Sequence, residues 1–305
     1  MDQIRVHSPA TVSNVVCGFD CLGFALSEPY DDIKLRLIDE PIIKIRHNDS
    51  YGLPTDPDKN VAGVTLRAML DAVDEPFGFD VEITKGIKPG SGIGSSAASA
   101  CGAVVAANEL LGRRFSKLEL IEFAMAGEML ASGSRHADNL APCVYGGFVL
   151  VRSSQPLDVI ELDHPPLFAT VLHPQIEIKT SEARAILPRE VPLAAAVRNW
   201  SNLGAFVAAL SKGDTELMSR AMRDEIVEPA RSSLIPGFDD VVQAGLGAGA
   251  VGGGISGSGP SMFMISASRE AADGVAAAMS EVYSRTGIEF NTYVSAIDPD
   301  GVRVV

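Results

Sequence analysis

The sequence predicts an α+β protein built as two lobes. Three observations lead there. The chain has 305 residues, more than one small core usually organises. Segments of strand and helix periodicity alternate without one regular β-α-β beat, which argues against a doubly wound sheet. A polar stretch, Ser153 to Asp158, divides two halves that each hold both kinds of element, which sets lobes at 1–155 and 156–305.

The elements follow in order. Residues 4–7 and 33–45 read as strands, from alternating or continuous apolar positions. Asp56 to Asn60 is a polar loop with Pro57 inside it, and a helical pattern runs from Val61 to Val73. Phe79, Val81 and Ile83 alternate with polar residues as in a half-buried strand, which leads into the loop Gly86 to Gly94. A small-residue helix covers Ser95 to Leu111. The next covers Lys117 to Ala131; Ser116 and Glu119 form a capping box before it, and Gly133 stops it. Strands at 158–162 and 167–173 precede helices at 192–211 and 214–227 and a short helix near Asp239. The Gly-rich run Gly252 to Gly259, a strand at 261–266, a helix at 270–285 and a strand at 290–297 complete the chain, with no repeat of solenoid period.

Charge and composition exclude several function classes. A formal net charge of −14 argues against nucleic acid or an anionic membrane as partner, since both require clustered Lys and Arg. No apolar run reaches the roughly 18 residues of a membrane helix. The start, MDQIRVHSPA, lacks the layout of a signal peptide, so a cytoplasmic address is expected. Cys17, Cys21, Cys101 and Cys143 form no C-x-x-C pair and the five His are scattered, which speaks against zinc and against disulfides.

The strongest signal is Pro89-Gly90-Ser91-Gly92-Ile93-Gly94-Ser95-Ser96-Ala97, between a strand and a helix. Alternating glycines permit positive φ and close approach of backbone to a ligand. The helix that follows offers free N–H groups and the positive end of its dipole, an anion site sized for phosphate. A Walker loop would end in Gly-Lys-Ser/Thr, which is absent. A Rossmann turn would place its third glycine two residues later. Read by itself, the loop is either a phosphate cradle or a plain turn with a serine cap.

This segment, extended to Ala98, resembles the phosphate loop of the GHMP small-molecule kinases, which include galactokinases and the homoserine, mevalonate and phosphomevalonate kinases. Two further segments resemble that superfamily's other motifs, in the same order. The first is Ser8-Pro9-Ala10-Thr11-Val12-Ser13-Asn14 with Gly18-Phe19-Asp20; the second is Gly254-Ile255-Ser256-Gly257-Ser258-Gly259-Pro260-Ser261. The stretches His136 to Pro142, Thr180 to Arg184, Glu228 to Arg231 and Pro236 to Phe238 are similar to the homoserine kinase family within it. The resemblance spans the chain. It implies a nucleotide-binding N-terminal lobe like a ribosomal-S5 second domain and a ferredoxin-like C-terminal lobe. It also implies a homodimer, ATP and Mg²⁺, and phosphorylation of L-homoserine to O-phospho-L-homoserine in threonine biosynthesis, a phosphotransfer to an alcohol.

Residue roles are carried over on the same terms. Pro89, Gly90, Ser91, Gly92, Ile93, Gly94, Ser95, Ser96, Ala97 and Ala98 would surround the phosphates. Lys88 would contribute backbone more than charge. Asn60 would lie near adenine and ribose, with a helix cap as the alternative. Glu128, a carboxylate among Ala, Met, Gly and Leu, would bind Mg²⁺ with the Ser96 hydroxyl; a salt bridge or a solvated helix face is the alternative. Arg184 and Arg231 would clamp a carboxylate through their guanidinium forks. Asn14 and Asp20 would meet the substrate's polar end, and His136 would neighbour it unless it is a structural histidine. Several GHMP kinases place an aspartate base where this chain has Asn139, which cannot take a proton. Transfer by positioning and charge stabilisation is therefore the expected mechanism, with Asp138 or Asp20 as base the alternative.

Overall fold

The computed structural model describes residues 2–73 and 75–305. In chain order its elements are β1 (Gln3–Ser13), β2 (Leu22–Ile38), β3 (Ile43–His47), α1 (Val61–Val73), β4 (Gly78–Thr84), α2 (Ser95–Leu110), α3 (Lys117–Ser132), α4 (Leu140–Tyr145), β5 (Phe148–Ser154) and β6 (Leu157–Leu162). There follow β7 (Phe168–Pro174), α5 (Thr180–Ala185), α6 (Leu193–Lys212), α7 (Thr215–Ala221), α8 (Glu228–Arg231), α9 (Phe238–Gly247), β8 (Gly252–Ile255), β9 (Met262–Ser266), α10 (Arg269–Ser284), β10 (Phe290–Ala296) and β11 (Arg303–Val304).

Two sheets result, so the fold is α+β as the sequence predicts. The larger has seven strands in the order β11-β1-β2-β4-β3, with the β5-β6 hairpin on the early part of β2. Helices α1 to α4 pack over it, and their apolar faces close a core around Leu35, Leu66, Phe79 and Val104. The smaller sheet has the order β10-β7-β9-β8, every pair antiparallel. Numbered within that sheet the order is 4-1-3-2, with α9 and α10 against it, which is the ferredoxin-like arrangement.

Several boundaries differ from the sequence reading, each for a local reason. The strand expected over 33–45 is two strands: the chain turns at Asp39 to Pro41, and Pro41 has no N–H for a ladder. The helix expected over 214–227 stops at Ala221. Beyond it the Asp224 carboxylate accepts the N–H groups of Ile226, Val227 and Glu228, an alternative to continuing the helix. Gly252 to Ile255 forms an edge strand, which its glycines concealed. The divide after residue 155 does not coincide with the sheets. β6 pairs with β5 from beyond it, and β11 returns to β1 through Val6 opposite Val304.

The two sheets share a core. Along β9, Met262 and Met264 face α9 and α10, while Phe263 and Ile265 face the other way. There Phe263 lies edge-on to Phe24 of β2 with centroids 5.7 Å apart, Phe24 contacts Phe148 of β5 at 4.9 Å, and Phe148 contacts Phe206 of α6 at 6.1 Å. All four side chains are fully buried. Apolar contact of this kind fixes the two sheets relative to each other and fixes the cleft formed beside them.

Candidate active site

The cleft has a volume of ≈ 480 Å³, within the range of small-molecule sites. Its walls come chiefly from five places: the end of β1, the loop before α2, the C-terminal end of α3, the segment leading into α4, and the α5 region together with α8 and the turn after β8.

The loop Pro89 to Gly94 is held from outside. Ser261 donates its N–H and hydroxyl to the Ser91 carbonyl, the Ser256 hydroxyl donates to Gly92 O at 2.8 Å, and Thr11 N–H donates to Ile93 O at 3.2 Å. With these carbonyls engaged, the N–H side of the loop is the side left for the cleft. The first turn of α2 adds N–H groups with no helical partner. All three glycines have φ between 71° and 80°. They serve different ends, which refines the sequence reading. A Cβ on Gly92 would meet Gly259 O at 2.4 Å, and one on Gly94 would meet the Thr11 hydroxyl at 2.0 Å. Those two allow the three motifs to touch. Gly90 alone would project a Cβ into open space, and it lines the cleft.

The first motif departs from β1 through a run of left-handed residues: Asn14, Val15 and Val16 have φ of 71°, 43° and 60°, and Asp20 has 59°. Positive φ at β-branched valine is a real outlier, and such strain persists only where the surroundings impose it. Here Gly18 N–H donates to Asn14 O, Asn14 N–H donates to Leu22 O, and the Asn14 amide donates to Gly257 O at 2.8 Å. The Asn14 side-chain oxygen then accepts the Asp20 N–H, which fixes the Asp20 carboxylate in the cleft wall.

Asp20 receives both guanidinium nitrogens of Arg184, at 2.9 and 3.1 Å, and His136 Nε2 stands 3.5 Å from it. The bond to Asp20 raises the Arg184 pKa, and burial lowers that of His136. Arg231 is buried; it donates to Ala183 O and Gly257 O, and both arginines lie over the Phe19 ring, at 5.1 and 5.5 Å. Burial, followed by the neighbouring Arg184 charge, lowers the Arg231 pKa.

Asp138 is buried and Glu128 half-buried in the cleft wall. Burial pushes each carboxyl up to about 7, and a neighbouring carboxylate adds to both: Asp138 for Glu128 and Asp20 for Asp138. Among the described residues no Lys, Arg or His forms an ion pair with either, while Ser96 and Glu128 line the same cavity. Asn139 is held at both ends: its oxygen accepts from the Thr11 hydroxyl at 2.8 Å and its amide donates to Ser13 at 2.9 Å.

Other predicted residues lie outside the cleft wall. The Asn60 oxygen accepts from Ala62 and Gly63 N–H, and its amide donates to Pro54 O and lies 3.0 Å from a His47 ring nitrogen. It therefore acts as a helix cap, while its neighbours Leu53 and Val61 line the cleft. Lys88 Nζ donates to Gln175 at 2.6 Å. Ile93, Ala97 and Ala98 are buried in the core below the loop; Ser95 does line the cleft, but its hydroxyl is spent on Ile87 O. The sequence reading passed over Lys85, Asp31, Ser13, Glu177 and Lys179. Lys85 and Asp31 carried a readable signal: each continues the inward-facing alternation of its strand, after Phe79, Val81 and Ile83 and before Ile33 and Leu35.

Comparison with known proteins places this geometry. Residues 60–147 match the model of the GHMP kinases N-terminal domain and residues 206–285 that of the GHMP kinases C-terminal domain. A homoserine kinase of Chlorobium phaeobacteroides is 45% identical over 320 aligned positions, and one of Chloroherpeton thalassium is 44% identical over 319; each alignment covers the whole of both chains. This chain belongs to the homoserine kinase family of the GHMP kinases. The activity of that family follows from full-length identity at this level. The crystal structure of homoserine kinase from Cytophaga hutchinsonii, 49% identical, superposes with a TM-score of 0.96 and covers 100% of this chain and 98% of that one. No helix among the described residues is long and apolar enough to cross a membrane.

The cleft acids generate a stability prediction. A carboxyl whose folded-state pKa lies above its unfolded value binds more protons when folded, so its contribution to stability falls as pH rises from about 4.5 to about 7. At pH 8 without metal, Glu128→Gln should therefore stabilise the protein, by about 1–3 kcal/mol, while turnover is lost. Denaturant melts at pH 5 and pH 8 measure this. A variant no more stable than the parent at pH 8 would contradict it.

Proposed function

We propose that the chain transfers the γ-phosphoryl group of ATP to the side-chain hydroxyl of L-homoserine in this cleft, with the residue roles that follow. The observation that carries the substrate assignment is the Arg184–Asp20 pair beside Arg231 and Phe19. An α-amino acid presents a carboxylate to the arginines and an ammonium to Asp20, so the pair can open without stranding either charge. A substrate with a carboxylate alone would leave Asp20 unpaired, which is unfavourable in a partly dry pocket.

The triphosphate is assigned to Gly90 through Ser96 and the first turn of α2, with adenine toward Leu53 and Val61. Glu128 and the Ser96 hydroxyl are the groups suited to Mg²⁺: a half-buried carboxylate with no ion-pair partner among the described residues, and an oxygen donor lining the same cavity. Bound there, Mg²⁺ would offset charge on the phosphates during transfer.

Asp138 is the better placed of the two possible bases. Its carboxyl, raised to about 7, is matched to taking a proton near neutral pH, whereas Asp20 is held by Arg184. Asn139 is assigned to positioning. If Asp138 accepts the substrate proton, Asp138→Asn lowers kcat by roughly 10²–10⁴ with both KM values nearly unchanged; a loss under tenfold would return the mechanism to positioning alone.

Homodimerisation, which the resemblance implies, has a candidate surface on α6. Leu193, Val197 and Trp200 are exposed there along one helical stripe that continues to Gly204. Trp200→Glu should then convert a dimer to a monomer in sedimentation; a parent protein that sediments as a monomer would sink the dimer.

The substrate assignment is tested by ADP release with equal concentrations of L-homoserine, L-serine and mevalonate. L-Homoserine should exceed L-serine by about a hundredfold in kcat/KM, because a hydroxyl one methylene short misses the phosphorus by on the order of 1 Å. Mevalonate should stay near background, and Arg184→Lys should raise the KM for homoserine far more than that for ATP. Activity on mevalonate equal to that on homoserine would overturn it.

A further inference from the structure

Under the phosphate loop lies a buried ion pair with no part in the roles above. Lys85 Nζ donates to the Asp31 carboxylate, to Ser95 O at 2.8 Å and to the Ser99 hydroxyl at 3.0 Å, so its three N–H groups are all used. Asp31 accepts the N–H groups of Gly86 and Ile87 through its other oxygen, both at 3.1 Å. The two side chains are 1% and 0% exposed. The antiparallel ladder of β2 and β4 explains the meeting: Asp32 is opposite Thr84 and Ile33 opposite Ile83, and one further step puts Asp31 opposite Lys85.

Stability alone does not account for such a pair. Taking two charges out of water costs about as much as their attraction returns, and well-packed apolar residues would hold the same space as firmly. Its contacts suggest another purpose. Lys85 immediately follows β4, Asp31 belongs to β2, Gly86 and Ile87 begin the loop, and Ser95 and Ser99 stand one turn apart at the start of α2. The Ser95 hydroxyl closes the circuit by donating to Ile87 O at 2.9 Å. Both ends of the loop Lys88 to Gly94 are therefore anchored to one charged centre. The loop's carbonyls are held from above by the first and third motifs, so the pair is what sets its position from below.

We propose that Lys85 is a positioning residue for phosphoryl transfer. Paired with Asp31, it fixes the first turn of α2 and the start of the phosphate loop against the sheet, and so sets where the loop's N–H groups stand relative to the alcohol. The inference rests on the assignment of the nucleotide to this loop. Lys85 borders the cleft, but its side chain is buried and its three N–H groups are committed to Asp31, Ser95 and Ser99, so it acts through those residues and the loop backbone.

The test uses the double variant Lys85→Met with Asp31→Asn. It removes both charges and keeps a side-chain oxygen for Gly86 and Ile87 N–H. It therefore avoids the stranded carboxylate that could unfold Lys85→Met alone. With a melting temperature near that of the parent, kcat/KM for ATP should fall about a hundredfold, the scale of a displacement on the order of 1 Å, while the KM for homoserine moves by less than about threefold. Gly90→Asp is the companion. Aspartate tolerates positive φ, its Cβ meets nothing, and its charge should repel the phosphates. Native ATP kinetics in the folded double variant, with Gly90→Asp impaired, overturn the role of Lys85 alone. Native ATP kinetics in both variants overturn the nucleotide assignment itself. Equal rises in both KM values for the double variant mean a general disturbance of the cleft and also overturn the positioning role.

Discussion

Everything at the cleft depends on three stretches of backbone passing closer together than side chains would allow. Gly92 runs against Gly259, and Gly94 runs against Thr11 and Asn139. At those distances the polar groups of each stretch become partners for the next: Ser256 and Ser261 for the loop carbonyls, Thr11 and Ser13 for Asn139, Asn14 for Gly257. The glycines are needed for assembly as much as for ligand approach. A bulkier loop would separate the first and third motifs and disconnect the strained turn at Asn14 to Val16 from what holds it.

The electrostatics follow from that closeness. Asp20, Glu128, Asp138 and Arg184 are among the charged side chains that share one partly dry cavity in a chain of net charge −14. Of these four, Asp20 and Arg184 satisfy each other directly. The two remaining acids are left with raised pKa values, the condition in which an incoming cation or a transferable proton gains most. Stability is lower here than an apolar lining would give, and the chemistry of a polyanionic nucleotide is what such a lining could not support.

Much of this was legible in the sequence because local rules and tertiary outcome agree. The helix Val61–Val73 and the capping box at Ser116 and Glu119 follow from periodicity and cap chemistry alone, and the three motifs announce themselves by composition. What stayed hidden was long-range. Nothing local says that Asp20 and Arg184, far apart in the chain, will bond, that Asn60 will spend its amide on Pro54, or that β11 will return to β1. Lys85 and Asp31 are an intermediate case. Strand parity marks both as inward-facing, but only the register of β2 against β4 makes them neighbours, and that register is a property of the folded sheet.

The aromatic cluster of Phe24, Phe148, Phe206 and Phe263 has a consequence for traffic through the cleft. Each buried ring contributes about 1.5–3 kcal/mol, so a clamshell opening of the two sheets would expose a large part of what holds the molecule together. The segment 177–184, which carries Arg184 and borders the cleft, lies outside that cluster. Segments of that size rearrange in nanoseconds to microseconds, far faster than whole lobes. That segment is tied to the frame by the salt link from Arg184 to Asp20.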